Sequence, residues 1–215
     1  MEGITIKNLS KNYSDKNIYE NFSIHIEKNK ILTILGESGS GKTTLLNAIS
    51  GLTTFSGEIL SEGVISYNFQ EDRLIANLTV KENLELFLKG QNVDNLLEMF
   101  GLKEKANSFI KNMSAGEKRR VALLRALFFP SDILLLDEPF INLDLKLKLE
   151  IIDLIKKEQI KKPRTVVFVT HDIIEASNLS DRIILLKNGK IELDLTADKS
   201  PKIVAEQLYA FLTKN

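Results

Sequence analysis

Between Gly36 and Thr44 the chain reads Gly-Glu-Ser-Gly-Ser-Gly-Lys-Thr-Thr, with three glycines leading into a lysine and two hydroxyls. Gly36, Gly39 and Gly41 allow backbone conformations barred to residues with side chains. Such a loop can curl so that several N–H groups point at one phosphate chain. Glu37, Ser38 and Ser40 contribute backbone to that cradle. Lys42 reaches the β- and γ-phosphates as a point charge, and the Thr43 hydroxyl is placed to meet Mg²⁺, with Thr44 beside it. The spacing is that of the phosphate-binding P-loop, G-x-x-x-x-G-K-[ST]. A chance glycine-rich turn is the competing explanation. Against it, the apolar run Ile31–Leu35 precedes the loop, and Leu45, Leu46 and Ile49 follow at helical spacing. The following helix would add roughly half a positive charge at its start. This pattern points to a nucleoside triphosphate.

Further groups suit the same chemistry. Ile133-Leu134-Leu135-Leu136-Asp137-Glu138-Pro139 reads as a buried strand ending in two carboxylates, where open α/β sheets present ligands. Side chains alternate along a strand, so Asp137 and Glu138 are expected to do different work. Asp137 is assigned to the Mg²⁺ shell and Glu138 to the attacking water. Thr165–Asp172 is a second buried strand, with His171 at its end. A strand-end histidine is compatible with packing or with a hydrogen bond to the γ-phosphate. Asp172 can cap the next helix, with Glu175 three residues on. Ser114-Ala115-Gly116-Glu117 opens a helical stretch; Ser114 and Glu117 have capping-box spacing, which leaves open a plain cap or a phosphate site for another molecule. Gln70, after the strand Val64–Phe69, can reach Mg²⁺ or water or serve as an ordinary loop residue.

Those residues need elements to hold them. Phe22–Ile26 alternates as a half-buried strand that leaves His25 on its polar side, and Gly57–Leu60 is another strand. From Thr79 to Lys111 the pattern turns helical, with Thr79 and Glu82 at capping-box spacing and Leu84, Phe87 and Leu88 at helical spacing. Beyond it strands and helices alternate: Ile133–Leu136, Leu145–Lys157, Thr165–Val169, Asp172–Leu179, Arg182–Leu186 and a last helix from about Ile203 to Thr213. Alternation of this kind predicts a mostly parallel α/β sheet covered by helices.

Bulk properties narrow the class. The 215 residues suffice for one buried core. Lysine plus arginine and aspartate plus glutamate both total 29, so no global field favours nucleic acid as a partner. Cysteine is absent, which excludes disulfides and thiolate metal sites. Met1–Asp15 lacks the pattern of a secretory leader, and the densest apolar runs are strand-length, short of the roughly 18 residues of a membrane span.

In this order the pieces resemble the ATP-binding subunit of ABC transporters over about Ile4 to Gly189. Gly36–Thr43 matches its Walker A motif, Ile133–Glu138 Walker B with the catalytic glutamate, Gln70 the Q-loop, Asn142–Asp144 the D-loop and His171 the switch histidine. Met113–Glu117 falls on the L-S-G-G-Q signature, and Tyr13 on an aromatic that stacks on adenine. Phe69–Leu74 and Asp137–Phe140 look most like the importer branch for nitrate, sulfonate, taurine or thiamine-precursor pyrimidines. Three positions depart from the family: Ala115 stands for glycine, Glu117 for glutamine and Asn29 for glycine.

The resemblance implies a P-loop NTPase core with an N-terminal antiparallel β-subdomain, and a helical subdomain at about 79–128, within one domain over 1–215. It implies Glu138 and His171 as catalytic residues and Thr43, Gln70 and Asp137 around Mg²⁺. ATP would be held by Tyr13, by Gly36 to Thr44 and by Gln70. Ser114, Ala115, Gly116 and Glu117 would complete the site of a second ATP-binding subunit, either a second copy or a related chain. The implied setting is the cytoplasmic face of the cell membrane, as a peripheral protein beside an integral permease and a solute-binding protein. Import of a small solute is the function this favours. The alternative is an ATP-gated switch acting on a membrane protein without transport.

Overall fold

The aliphatic strand residues divide between two cores. Ile133 and Leu135 pack on one face, while Leu134 and Leu136 pack on the other; Val167 and Val169 likewise oppose Val166 and Phe168. Successive side chains of a strand point oppositely, so an unbroken apolar run fits a sheet covered on both faces. The computed structural model describes residues 3–14 and 16–213. Part of the Met1–Asp15 segment read for a leader therefore lies outside the described residues.

The strands are β1 (Gly3–Tyr13), β2 (Lys16–Glu27), β3 (Ile31–Leu35), β4 (Ser56–Leu60), β5 (Ile65–Asn68), β6 (Ile133–Asp137), β7 (Thr165–Thr170), β8 (Arg182–Lys187) and β9 (Lys190–Thr196). The helices are α1 (Lys42–Ile49), α2 (Val80–Glu85), α3 (Val93–Met99), α4 (Ala115–Phe128), α5 (Leu145–Lys161), α6 (Ile173–Leu179) and α7 (Pro201–Leu212). A six-stranded sheet has the order β5-β6-β7-β3-β8-β9, parallel except for β9. A separate antiparallel sheet has the order β2-β1-β4. The α/β class with its antiparallel subdomain is thus present. Helices α2 to α4 lie in the chain between β5 and β6.

Local departures have physical reasons. Polar residues close the β1–β2 hairpin, where Tyr13 pairs with Lys16, because an antiparallel pair can leave one side to water. Strand β9 was not expected, although Ile191, Leu193 and Leu195 alternate with exposed polar residues at period two. In the helical insert Leu84 and Leu88 of the helically spaced set are buried, whereas Phe87 is exposed. Asn29 has φ 61°, a left-handed conformation that asparagine tolerates, which explains how it replaces glycine before β3.

Candidate active site

Parallel register brings three strand ends to one edge. Leu35 lies opposite Thr170, and Asp137 opposite Val169. Beyond these ends opens a cleft of about 580 Å³. Its lining includes Glu37, Ser38, Gly39, Gly41, Lys42, Thr43, Thr44, Gln70, Asp137, Glu138 and His171, together with Lys16 and Ile18 of β2.

The P-loop sets the cleft floor. Gly39 and Gly41 have φ 80° and 108°, and a Cβ at Gly41 would stand 2.9 Å from the Tyr19 hydroxyl. Tyr19 is buried and donates to Gly41 O at 2.9 Å, which pins the start of α1. Lys42 Nζ donates to Gly36 O at 2.7 Å and Glu37 O at 2.8 Å. Burial lowers the pKa of this ammonium, and the nearby charges of Glu138, Asp137 and Glu37 oppose the shift. Gly36 itself does not line the cleft; a Cβ there would collide with Leu186 O, so packing also requires glycine. Ser40 is likewise buried beneath the loop, with its hydroxyl unpartnered.

Asp137 is 1% exposed, and no hydrogen bond of good geometry reaches either carboxylate oxygen. Burial raises its pKa; the Thr43 hydroxyl, Arg119 and Lys42 oppose that rise, while Glu138 adds to it. A buried carboxylate left unpaired beside a threonine hydroxyl is a donor set suited to a hard cation. Among the described residues no three His, Cys, Asp or Glu side chains cluster as a metal cage. Mg²⁺ needs no such cage, since it is usually held by one or two carboxylates plus substrate phosphates.

Glu138 departs from the strand alternation. Its φ of 46° turns the chain sharply after β6, so Asp137 and Glu138 both reach the cleft. Its N–H donates to Val169 O at 3.0 Å, and both its carboxylate oxygens lie 3.0 Å from His171 Nδ1. Asp172 caps α6 as expected, but Glu175 accepts from Thr170 Oγ1 and pairs with Lys148 instead of closing a capping box.

The remaining candidates lie apart from the cleft. Tyr13 sits half-exposed at the end of β1, with Lys11 Nζ 4.6 Å from its ring centroid. Ser114 and Glu117 form a complete capping box on α4, and Lys105 pairs with Glu117 at 3.1 Å. The Ser114 N–H and Lys105 hold the Glu117 carboxyl below its usual range. A Cβ on Gly116 would approach Asn142 O at 3.0 Å, and Ala115 is exposed at the helix start. None of these four contributes to the cleft of its own chain. Sequence reasoning missed Arg119, a buried guanidinium beneath the cleft. The available signal was a charge four residues before Leu123, on the apolar side of α4; a buried arginine requires partners.

The pattern of the family described as ABC transporter matches residues 19–141. The aliphatic sulfonates import ATP-binding protein SsuB of Delftia acidovorans is 38% identical over 202 residues, 91% of this chain and 84% of that protein. The Fe(3+) ions import ATP-binding protein FbpC of Fusobacterium nucleatum subsp. nucleatum is 36% identical over 88% of this chain, which spans 57% of that protein. A dimeric structure of the ATP-binding cassette MJ0796 in a post-hydrolysis state, bound to ADP and Pi, superposes with a TM-score of 0.82 at 32% identity, covering 91% of this chain and 99% of that one. The chain, with its P-loop and paired carboxylates at one sheet edge, belongs to the ABC transporter family as an ATP-binding cassette of the ATP-hydrolysing kind.

Proposed function

We propose that this chain is the ATP-hydrolysing subunit of an importer, coupling turnover to uptake of a small solute through a separate membrane permease. The observation that carries the chemistry is the Glu138 carboxylate, held by His171 in the same cleft as Lys42 and Thr43. In this reading the loop N–H groups of Gly36 to Thr44 and the Lys42 ammonium bind the phosphates, and Tyr13 stacks on adenine for about 1–3 kcal/mol. Thr43, Asp137 and Gln70 would hold Mg²⁺, which when bound neutralises charge on the phosphate oxygens. Glu138 accepts a proton from water as the water oxygen bonds to the γ-phosphorus, and the bond from the γ-phosphorus to the β-phosphate oxygen breaks to release ADP and phosphate. His171 keeps the carboxylate oriented through Nδ1, beside the position of the γ-phosphate.

The chain, over residues 1–215, acts as one ATP-binding unit with the helical subdomain 79–128 inserted. Ser114 to Glu117 lie outside the cleft of their own chain, which supports the reading that they complete the site of a second copy, packed head to tail. The exposed Ile75, Leu86 and Phe87 near the Gln70 loop suit docking against a permease. Among the described residues no helix is long and apolar enough to cross a membrane, so a separate permease would supply the pathway. Relatives named as import ATP-binding proteins support the import reading; with it go a peripheral place on the cytoplasmic face of the membrane and a solute-binding protein as a further partner.

The test is capture of the tagged chain from solubilised membranes, with ATPase activity measured on what is recovered. A polytopic permease whose presence raises turnover supports import. A cell-wall or division protein in its place would favour an ATP-gated switch.

A further inference from the structure

We infer that Arg119 is a positioning residue that sets Glu138 for catalysis and ties it to the Gln70 loop; this rests on the reading of Glu138 as the group that activates water. Arg119 projects from the first turns of α4, five residues after Ser114, and is 3% exposed. Its Nη2 donates to Asp137 O and Glu138 O, each at 2.7 Å, and its Nε to Pro139 O at 3.2 Å. Three consecutive carbonyls, from the last residue of β6 into the turn after it, therefore converge on one guanidinium. On its other side Nη1 donates to Phe69 O at 2.5 Å and Gln70 O at 3.2 Å, with Asp72 Oδ1 at 3.4 Å.

This arrangement has two consequences. Glu138 holds a left-handed φ of 46°, a conformation that costs energy for a residue with a side chain and persists only where surroundings enforce it. The fork of Arg119 enforces it from below, while His171 holds the side chain from the cleft. The same rigid, planar group also grips the Gln70 loop, so a displacement of that loop is passed to the backbone of Glu138. Arg125 fastens the loop a second time, through Asp72 O and Arg73 O. A lysine at 119 would keep the charge but offer one nitrogen, which cannot serve both sides of the fork.

The experiment is a double-mutant cycle on the full chain. Arg119→Lys and Arg119→Gln are made alone and with Glu138→Gln, and kcat for ATP hydrolysis is measured beside the affinity for a fluorescent ATP analogue. Misplacing a catalytic group by an ångström can cost about 100-fold, so the single Arg119 variants should lose about 10–100-fold in kcat with ATP affinity within about threefold. In the Glu138→Gln background the same changes should cost almost nothing, because a residue acting through Glu138 has nothing left to position. Unchanged kcat, ATP affinity falling in step with kcat, or equal losses in both backgrounds would overturn the proposal. Near-normal turnover of Glu138→Gln alone would overturn the reading of Glu138 itself, a result separable from failure at Arg119. If neither Arg119 variant folds, hydrogen exchange of the unmodified chain decides: residues 69–73 and 137–141 should change protection together on adding ATP, and a change in one segment alone overturns the coupling.

Discussion

His171 Nδ1 lies 3.0 Å from both carboxylate oxygens of Glu138. An ionised carboxylate only accepts, so Nδ1 carries the hydrogen and donates it. The contact fixes the carboxylate from the solvent side of the cleft, where His171 is otherwise exposed. Glu138→Gln should slow hydrolysis by about 10²–10⁴-fold with ATP affinity retained, since general-base catalysis contributes on that order. His171→Ala should lose about 10-fold or more in kcat, also with little change in ATP affinity, because it disturbs orientation rather than the phosphate cradle. Steady-state kinetics with a separate binding measurement checks both.

Asp137 makes a prediction about stability. Its folded pKa is raised by burial above the unfolded value of about 3.9, so the folded state holds the proton longer. The ionised side chain is then a cost to the folded state at neutral pH, and that cost disappears as pH falls through the raised pKa. Asp137→Asn should therefore stabilise the protein at pH 7.5 in the absence of nucleotide and Mg²⁺, by about 1–3 kcal/mol. For a chain of this length each kcal/mol shifts Tm by about 2–4 °C. Thermal unfolding across pH should show the gain shrinking toward pH 4, and a less stable variant at pH 7.5 would contradict this account.

Much of this architecture was legible because the relevant signals are local. The P-loop spacing, the apolar runs ending at Asp137 and Thr170, and the Thr79–Glu82 and Ser114–Glu117 caps each occupy a few consecutive residues. Which strand ends meet is a matter of sheet order, and strand periodicity is silent on it. The left-handed turn at Glu138 defeated the alternation rule because the strand ends one residue earlier. Arg119 offered only its charge on the apolar side of α4 as a signal, because apart from Asp72 its partners are backbone carbonyls, which carry no residue identity. The exposed Phe87 has the composition of a core residue but packs beneath Arg125, a pairing between distant segments.

Ser114 allows the helix cap to be separated from the proposed intermolecular site. Ser114→Ala removes the cap and should cost about 0.5–2 kcal/mol of stability. Ser114→Asp retains a capping oxygen yet places a negative charge where a partner's phosphate is proposed to bind. It should leave Tm within about 2 °C of the parent while abolishing ATP-dependent association. Association of Ser114→Asp at the parental level would assign Ser114 to capping alone.

Lys42 is held under the loop by two carbonyls, so its loss should spare the fold and weaken the ligand. Charge-assisted hydrogen bonds contribute about 1.5–3 kcal/mol, which corresponds to roughly 10–150-fold in ATP affinity for Lys42→Ala. Titration with a fluorescent ATP analogue, alongside thermal unfolding without nucleotide, measures the two effects separately.

The most direct test of the whole account is light scattering of Glu138→Gln with and without ATP. A monomer is expected without ATP and a dimer once ATP is added, because slowed hydrolysis traps two copies in which Ser114 and Gly116 of each complete the other's site. A protein that binds ATP at its P-loop and stays monomeric would contradict that expectation, and the missing half of the site would then come from a different chain.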